Sequence, residues 1–189
     1  MAALIAGLAV FLGVHSVAIF APGLRTRALG RWGEGPWKAG YGLISLIGLA
    51  LLVYGFGAAR QSPLVLYTPP HWMRYLTLLL MLPVFPLFLA AYLPGRIKAA
   101  AKHPMLTAVK FWALAHLLSN GLLTDVLLFG GFLAWAVMDR ISLKRRTQTI
   151  RTAPPGRFND LVAVLLGLAL YALFIGWAHL RLFGVPPLG

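Results

Sequence analysis

Two histidines of this chain lie inside long apolar stretches, where a polar side chain is costly. His116 follows Trp112 by four residues and precedes Asn120 by four, so the three side chains share one face of a helix. Helix bundles hold haem iron with an imidazole that lies among aromatic and small residues. A histidine that hydrogen-bonds to a neighbouring helix has the same pattern. The pattern therefore predicts either a haem ligand or a packing residue.

His15 lies in the first apolar stretch, two residues after Gly13. Because glycine has no side chain, another helix or a flat macrocycle could approach His15 closely on this side. The alternative is a packed histidine that bonds to a backbone carbonyl. His15 and His116 are therefore the two candidate axial ligands of an iron.

A third histidine, His103, directly precedes Pro104 at the predicted membrane edge. It lies thirteen residues before His116, which on a straight helix is about 220° of rotation and about 20 Å of rise. His103 and His116 therefore cannot ligate the same iron from one straight helix. His103 is a candidate contact for a haem propionate or a lipid headgroup, and the alternative is an ordinary interfacial residue.

The elements that carry these residues are predicted to be transmembrane helices. Of the 189 residues, 60% are hydrophobic and 11% are charged, whereas soluble domains carry roughly 25% charged residues. Such a chain needs lipid as its solvent, and the apolar runs of about 20 residues favour helices over barrel strands. We expect one all-α domain over residues 1–189, a polytopic integral membrane bundle of about six transmembrane helices. The absence of cysteine excludes thiolate ligands and disulfides.

Polar and proline-rich segments separate the six predicted helices. Pro83 and Pro86 are expected to kink the third helix, and Asn159 or Asp160 is expected to cap the sixth. The fourth and fifth helices are short for a span, so they form either two spans or one re-entrant hairpin. The predicted ranges are 3–20, 39–59, 72–93, 104–119, 122–137 and 161–183.

Basic residues alternate between the two sides of the predicted bundle. Three alternate loops hold Arg25, Arg27, Arg31 and Lys38, then Arg96, Lys98 and Lys102, then Arg140, Lys144, Arg145, Arg146, Arg151 and Arg157. The other side holds Arg60, Arg74 and Arg181. Because loops rich in Lys and Arg stay in the cytoplasm, both termini are predicted to lie outside it. Cations in such loops suit anionic lipid headgroups, so the net charge of +13 does not predict nucleic-acid binding.

Five segments of the chain together resemble a known family. They are Leu12-Gly-Val-His15-Ser16, Tyr41-Gly-Leu-Ile-Ser45, Lys102-His103-Pro104, Trp112-Ala-Leu-Ala-His116-Leu-Leu-Ser-Asn120-Gly121 and Leu128-Phe129-Gly130-Gly131-Phe132. With these segments the chain resembles the NnrU family of bacterial membrane proteins over almost its whole length. That family takes its name from a protein associated with nitrite and nitric oxide reduction in denitrifying bacteria. It is related to the plant zeta-carotene isomerase, an integral membrane haem b enzyme.

The resemblance implies a haem b site. In the plant enzyme two histidines bind the haem, and a redox change at the iron permits cis–trans isomerisation of the polyene. The matching positions here are His15 and His116, with Trp112, Asn120 and His103 as further candidate contacts to the cofactor. A cysteine three residues before the second ligand has been discussed there as an alternative ligand, but this chain has Ala113 at that position. The resemblance thus implies the haem site. It supports isomerase activity less strongly, because the position of the discussed cysteine is occupied by Ala113.

The two proposed ligands differ in predicted depth. From the cytoplasmic edge, His15 should lie about 9 Å deep and His116 about 18 Å deep, and helix tilt would absorb part of this difference. Otherwise the iron would be five-coordinate on His116 and open to nitric oxide or a substrate.

We therefore expect a bacterial inner-membrane haem b protein with a redox, isomerase-like or nitric-oxide-related role. Its small-molecule ligand would be carotenoid-like, quinone-like or nitric oxide. The alternatives are a small-molecule permease and a non-catalytic accessory factor of a respiratory complex.

Overall fold

A computed structural model describes residues 1–146 and 152–188, and its regular structure is helical. An isolated antiparallel bridge joins Val65 and Leu122. The predicted all-α class is thus confirmed for the described residues, while Arg151 of the third basic loop lies outside them. The helices are α1 (Ala2–His15), α2 (Val17–Phe20), α3 (Pro22–Trp32), α4 (Glu34–Ala59), α5 (Met73–Met81), α6 (Val84–Ala90), α7 (Arg96–Ala101), α8 (Pro104–Ser119), α9 (Leu123–Ser142), α10 (Asn159–Leu173), a π-helical turn (Phe174–Ala178) and α11 (His179–Phe183).

Within the described residues, three helical segments are long and apolar enough to cross a membrane. They are Glu34–Ala59, Met73–Ala90 and Asn159–Phe183, while the apolar helix α1 is shorter, at 14 residues. These segments expose large apolar side chains, such as Leu46 at 63% and Leu165 at 58%, as expected of helices that face lipid. Six spans with both termini outside the cytoplasm stay a prediction.

The fold contains two compact units. The first comprises Met1–Thr68 and Gly121–Ser142, and the second comprises Pro69–Asn120 and Leu143–Gly189. The expectation of a single domain over residues 1–189 stays a prediction.

In the first unit, α1 packs closely against α4 through glycines. A Cβ atom on Gly7 would lie 2.6 Å from the backbone nitrogen of Leu52, and one on Gly48 would lie 2.8 Å from that of Phe11. The contacts pair low numbers on α1 with high numbers on α4, so the two helices are antiparallel. Small residues let helix backbones approach in lipid, where apolar burial gives no driving force. Helix α9 also packs on α1.

In the second unit, the predicted proline kink is confirmed at Pro83 as a break between α5 and α6, whereas Pro86 lies within α6. The amide of Leu82 donates to the carbonyl of Leu79, three residues earlier, instead of that of Leu78. The carbonyl of Leu78 instead accepts a hydrogen bond from the hydroxyl of Tyr171 in α10, at 2.8 Å. A side chain from another helix thus satisfies a backbone group that the kink releases.

Several helix bounds differ from the predictions. The segment expected as the first basic loop contains the helix α3, which ends before Gly33, a residue with a φ of +80°. Helix α4 begins at Glu34 rather than at residue 39, and in its added turn Lys38 Nζ lies 2.6 Å from Glu34 Oε1. The first predicted helix is divided at Ser16 into α1 and α2. Helix α9 continues to Ser142, five residues beyond its predicted end.

The predicted cap of the last long helix is wrong. Helix α10 begins at Asn159, and its N-cap residue is Phe158, which makes no capping hydrogen bond through its side chain. The Asp160 carboxylate accepts hydrogen bonds from the amides of Arg96, at 2.7 Å, and Ile97, at 3.1 Å. Asp160 therefore caps the distant helix α7, because the unpaired amides at the start of that helix need acceptors.

Candidate functional site

The imidazole of His15 lies in an aromatic cluster of the first unit. His15 is the last residue of α1, and its ring stacks on Phe11 with the ring centroids 4.3 Å apart. Tyr41 of α4 and Trp135 of α9 meet the imidazole edge-on, at centroid distances of 5.3 and 6.1 Å. Three helices thus position His15 among aromatic rings.

A backbone hydrogen bond fixes the tautomer of His15. Its Nδ1 atom lies 2.7 Å from the carbonyl oxygen of Phe11, four residues earlier. A carbonyl only accepts hydrogen bonds, so Nδ1 carries the proton and the neutral ring has its lone pair on Nε2. Among the described residues the imidazole makes this one hydrogen bond. Histidines that bind metals are commonly oriented by such a bond on the second nitrogen.

Open space lies beside this cluster. A Cβ atom on Gly13 would meet no atom within 4 Å. A largely apolar groove of about 620 Å³ is lined by Gly13 of α1, by Ser16 between α1 and α2, and by Gly131 and Trp135 of α9. The Nε1 atom of Trp135 is buried and has no hydrogen-bond partner among the described residues. The groove has the volume of a small-molecule site.

His116 has a similar arrangement in the second unit. It lies in the last turn of α8, and its Nδ1 atom is 2.8 Å from the carbonyl oxygen of Trp112. The rings of Trp112 and His116 are in contact, with centroids 5.6 Å apart. As for His15, the neutral imidazole must carry its proton on Nδ1 and its lone pair on Nε2.

The other two predicted contacts lie at the ends of α8. Asn120 is the C-cap residue: its backbone amide still donates to the carbonyl of His116 at 2.9 Å, while its own backbone is extended, with φ −127° and ψ 115°. His103 is the N-cap residue, and its carbonyl accepts a hydrogen bond from Thr107 Oγ1 at 3.2 Å. His103 directly precedes α8 and His116 lies in its last turn, so thirteen residues of helix, about 20 Å of rise, separate the two positions.

The match to a family extends over both units. Residues 3–187 match the sequence profile of the family described as NnrU protein. The chain belongs to the NnrU family. The resemblance carried by the five sequence segments is thereby confirmed. No curated protein and no solved structure matches this NnrU chain significantly.

The candidate ligands of the NnrU chain fall in both units. His15 groups with Phe11, Tyr41 and Trp135 in the first unit, whereas Trp112, His116 and Asn120 follow one another along the second. Within residues 1–146 and 152–188, no three His, Cys, Asp or Glu side chains are grouped as a metal site would require. Haem iron needs one or two protein ligands, so this finding leaves a haem site open.

Sequence reasoning missed three residues near the candidate ligands. Tyr41 lies in one of the five family segments, but the sequence indicated no role for it. Trp135 lies outside those segments, and the sequence indicated no role for it either. His179, in the same unit as His116, lies directly after the π-helical turn. Its Nδ1 atom lies 2.7 Å from the carbonyl oxygen of Val185. Such turns are frequent at functional sites, but no sequence pattern indicated this one.

Proposed function

We propose that this NnrU-family protein is a multi-pass protein of the bacterial inner membrane that binds haem b through Nε2 of His15 and of His116. The repeated hydrogen bond carries the proposal. In both residues Nδ1 donates to the carbonyl four residues earlier, at 2.7 and 2.8 Å. Each bond orients its ring and places the lone pair on the nitrogen that would face iron.

The surroundings of both histidines support a flat aromatic cofactor. Phe11, Tyr41 and Trp135 surround His15, and the ring of Trp112 contacts His116. Aromatic side chains of this kind exclude water and favour contact with a macrocycle over contact with a small hydrated ion. The position of His103 at the N-terminus of α8 suits the proposed contact to a haem propionate. Asn120, at the other end of α8, is a further proposed contact to the haem.

Bound haem would supply a redox-active iron, while the chain would hold and tune it. With both histidines on the iron, the protein suits electron transfer or a redox-gated switch. With His116 alone it would keep an open position for nitric oxide. The proposed role is therefore redox or isomerase-like, or related to nitric oxide as in denitrification. The small-molecule ligand would be carotenoid-like, quinone-like or nitric oxide. Ala113 removes the alternative cysteine ligand discussed for the plant isomerase.

The proposed topology has six spans and both termini outside the cytoplasm. The alternation of basic loops supports it, and so do the three helical segments of sufficient length and the exposed apolar side chains on them. Helices α8 and α9, of 16 and 20 residues, would then supply two spans or one re-entrant hairpin.

Haem content tests the proposal. The protein is purified in mild detergent from haem-replete cells, and haem b is quantified as the pyridine haemochrome. We expect about one haem per chain and sharp α and β bands after reduction with dithionite. A chain that stays colourless after reconstitution with haem contradicts the proposal.

Nitric oxide then separates the two proposed roles. Added to the reduced protein, it leaves the spectrum unchanged if both axial positions are held by histidines. An immediate shift of the Soret band indicates an open position on the iron.

A further inference from the structure

The segment predicted as the first basic loop is helical, and it borders a cavity at the start of α4. Helix α3 and the first turns of α4 border a half-open cavity of about 330 Å³, lined by Arg25 and Leu29 of α3 and by Glu34, Trp37 and Lys38 of α4. The tight connection between the helices is Gly33, whose φ of +80° favours glycine. A cavity of this volume is within the range of small-molecule sites.

The Arg25 guanidinium in the cavity has no protein partner among residues 1–146 and 152–188. Among the described residues, Arg25 makes no ion pair and no hydrogen bond through its side chain, whereas Arg27 donates to the carbonyl of Gly23 within α3. Lys38 pairs with Glu34 at 2.6 Å, but both side chains are more than half exposed. Exposed ion pairs of this kind contribute little stability, so Lys38 can turn to another anion at small cost.

The helix that contributes Arg25 to the cavity also exposes apolar side chains. Helix α3 exposes Leu24 and Trp32, the latter at 60%, while its Ala28 is buried. A basic helix with exposed apolar and aromatic side chains suits the interface between headgroups and acyl chains. Beyond the cavity, α4 continues as one of the candidate spans. The cations therefore lie at the end of an apolar segment, where lipid phosphates are found.

We propose that this cavity binds the headgroup of an anionic phospholipid, with the phosphate held by Arg25 and Lys38. Arginine binds phosphate oxygens in a bidentate fashion, and lysine adds a second positive charge. Trp37 provides the aromatic wall, and the exposed apolar side chains of α3 meet the acyl chains. The Glu34 carboxylate opposes the anion, so its removal strengthens binding.

Lipid titration of the purified full-length protein tests the site. Binding of short-chain phosphatidylglycerol, of phosphatidylcholine with the same acyl chains and of inorganic phosphate is measured by thermal shift in neutral detergent at low salt. The wild type is expected to prefer phosphatidylglycerol over both other probes. Equal binding of the two lipids overturns the proposal, and so does binding of inorganic phosphate with the affinity of the lipid.

Matched variants locate the site on the chain. Arg25→Gln combined with Lys38→Gln should weaken phosphatidylglycerol binding by about tenfold, the scale of a lost charge-assisted contact. The control is Lys144→Gln combined with Arg145→Gln, which removes the same charge from exposed positions and should change binding by less than about twofold. Glu34→Gln should tighten binding.

Two outcomes with these variants contradict the site. If both double variants lose affinity equally, the lipid responds to net charge alone. If Glu34→Gln weakens binding, the carboxylate does not oppose the ligand. Melting temperatures without lipid confirm that each variant is folded.

Discussion

Asp160, in the first turn of α10, accepts a hydrogen bond from the backbone amide of Arg96 at 2.7 Å. The contact joins residues 64 positions apart and fixes the start of α7 against α10. Gly95 leaves room for this arrangement, because a Cβ atom there would displace the carboxylate. One carboxylate therefore serves as the N-terminal cap of a helix to which it does not belong.

Replacement of Asp160 is predicted to destabilise the second unit. Asp160→Ala leaves two amides of α7 without their acceptor and should lower the free energy of unfolding by about 1–2 kcal/mol. Asp160→Asn keeps one acceptor oxygen and should cost less. Thermal unfolding followed by circular dichroism in detergent measures both variants. An Ala variant that is no less stable than the Asn variant contradicts the capping role.

Close packing of α1 on α4 predicts that two glycines of one helix respond differently to alanine. At Gly48 the new Cβ atom would lie 2.8 Å from the backbone nitrogen of Phe11, so Gly48→Ala should cost about 1–3 kcal/mol by overpacking. At Gly57 it would meet nothing within 4 Å, so Gly57→Ala should be neutral or stabilising by up to about 1 kcal/mol. The same unfolding assay compares them. Equal effects would mean that α1 and α4 do not pack closely at Gly48.

The hydrogen bond across the proline break predicts a cost for loss of one hydroxyl. Tyr171→Phe leaves the carbonyl of Leu78 without the partner that it has at 2.8 Å and should cost about 1 kcal/mol. Tyr54→Phe is the matched control, because Tyr54 is 70% exposed, and it should change stability by less than about 0.5 kcal/mol. If Tyr171→Phe behaves like the control, the released carbonyl does not depend on Tyr171.

Local sequence patterns predicted the ends of α8, the break at Pro83 and the contact between Trp112 and His116, because these features depend on residues that are close in sequence. Helix α8 begins at Pro104 and ends at Ser119 as expected, because proline in the first turn and the polar residues after it mark both ends. The break near Pro83 follows from its missing amide. The contact between Trp112 and His116 follows from helical spacing.

Features that join distant segments escaped the sequence reasoning. Asp160 was assigned to its own helix because its true partners are more than sixty residues away. Tyr41 and Trp135 contact His15 from two other helices, and the spacing of residues along one helix cannot predict such contacts. The segment that forms helix α3 is predicted as a basic loop from its sequence, although a basic amphipathic helix carries the same charges.

Ligation of haem iron by His15 and His116 is tested most directly by chemical rescue with imidazole. The reduced-minus-oxidised spectrum of the purified protein is recorded for His15→Gly, His116→Gly and the control His71→Gly, each with and without imidazole. We predict that each of the first two variants loses or alters the sharp α band, that imidazole restores it, and that the control matches the wild type. Wild-type spectra from both variants without imidazole would contradict ligation by these two histidines.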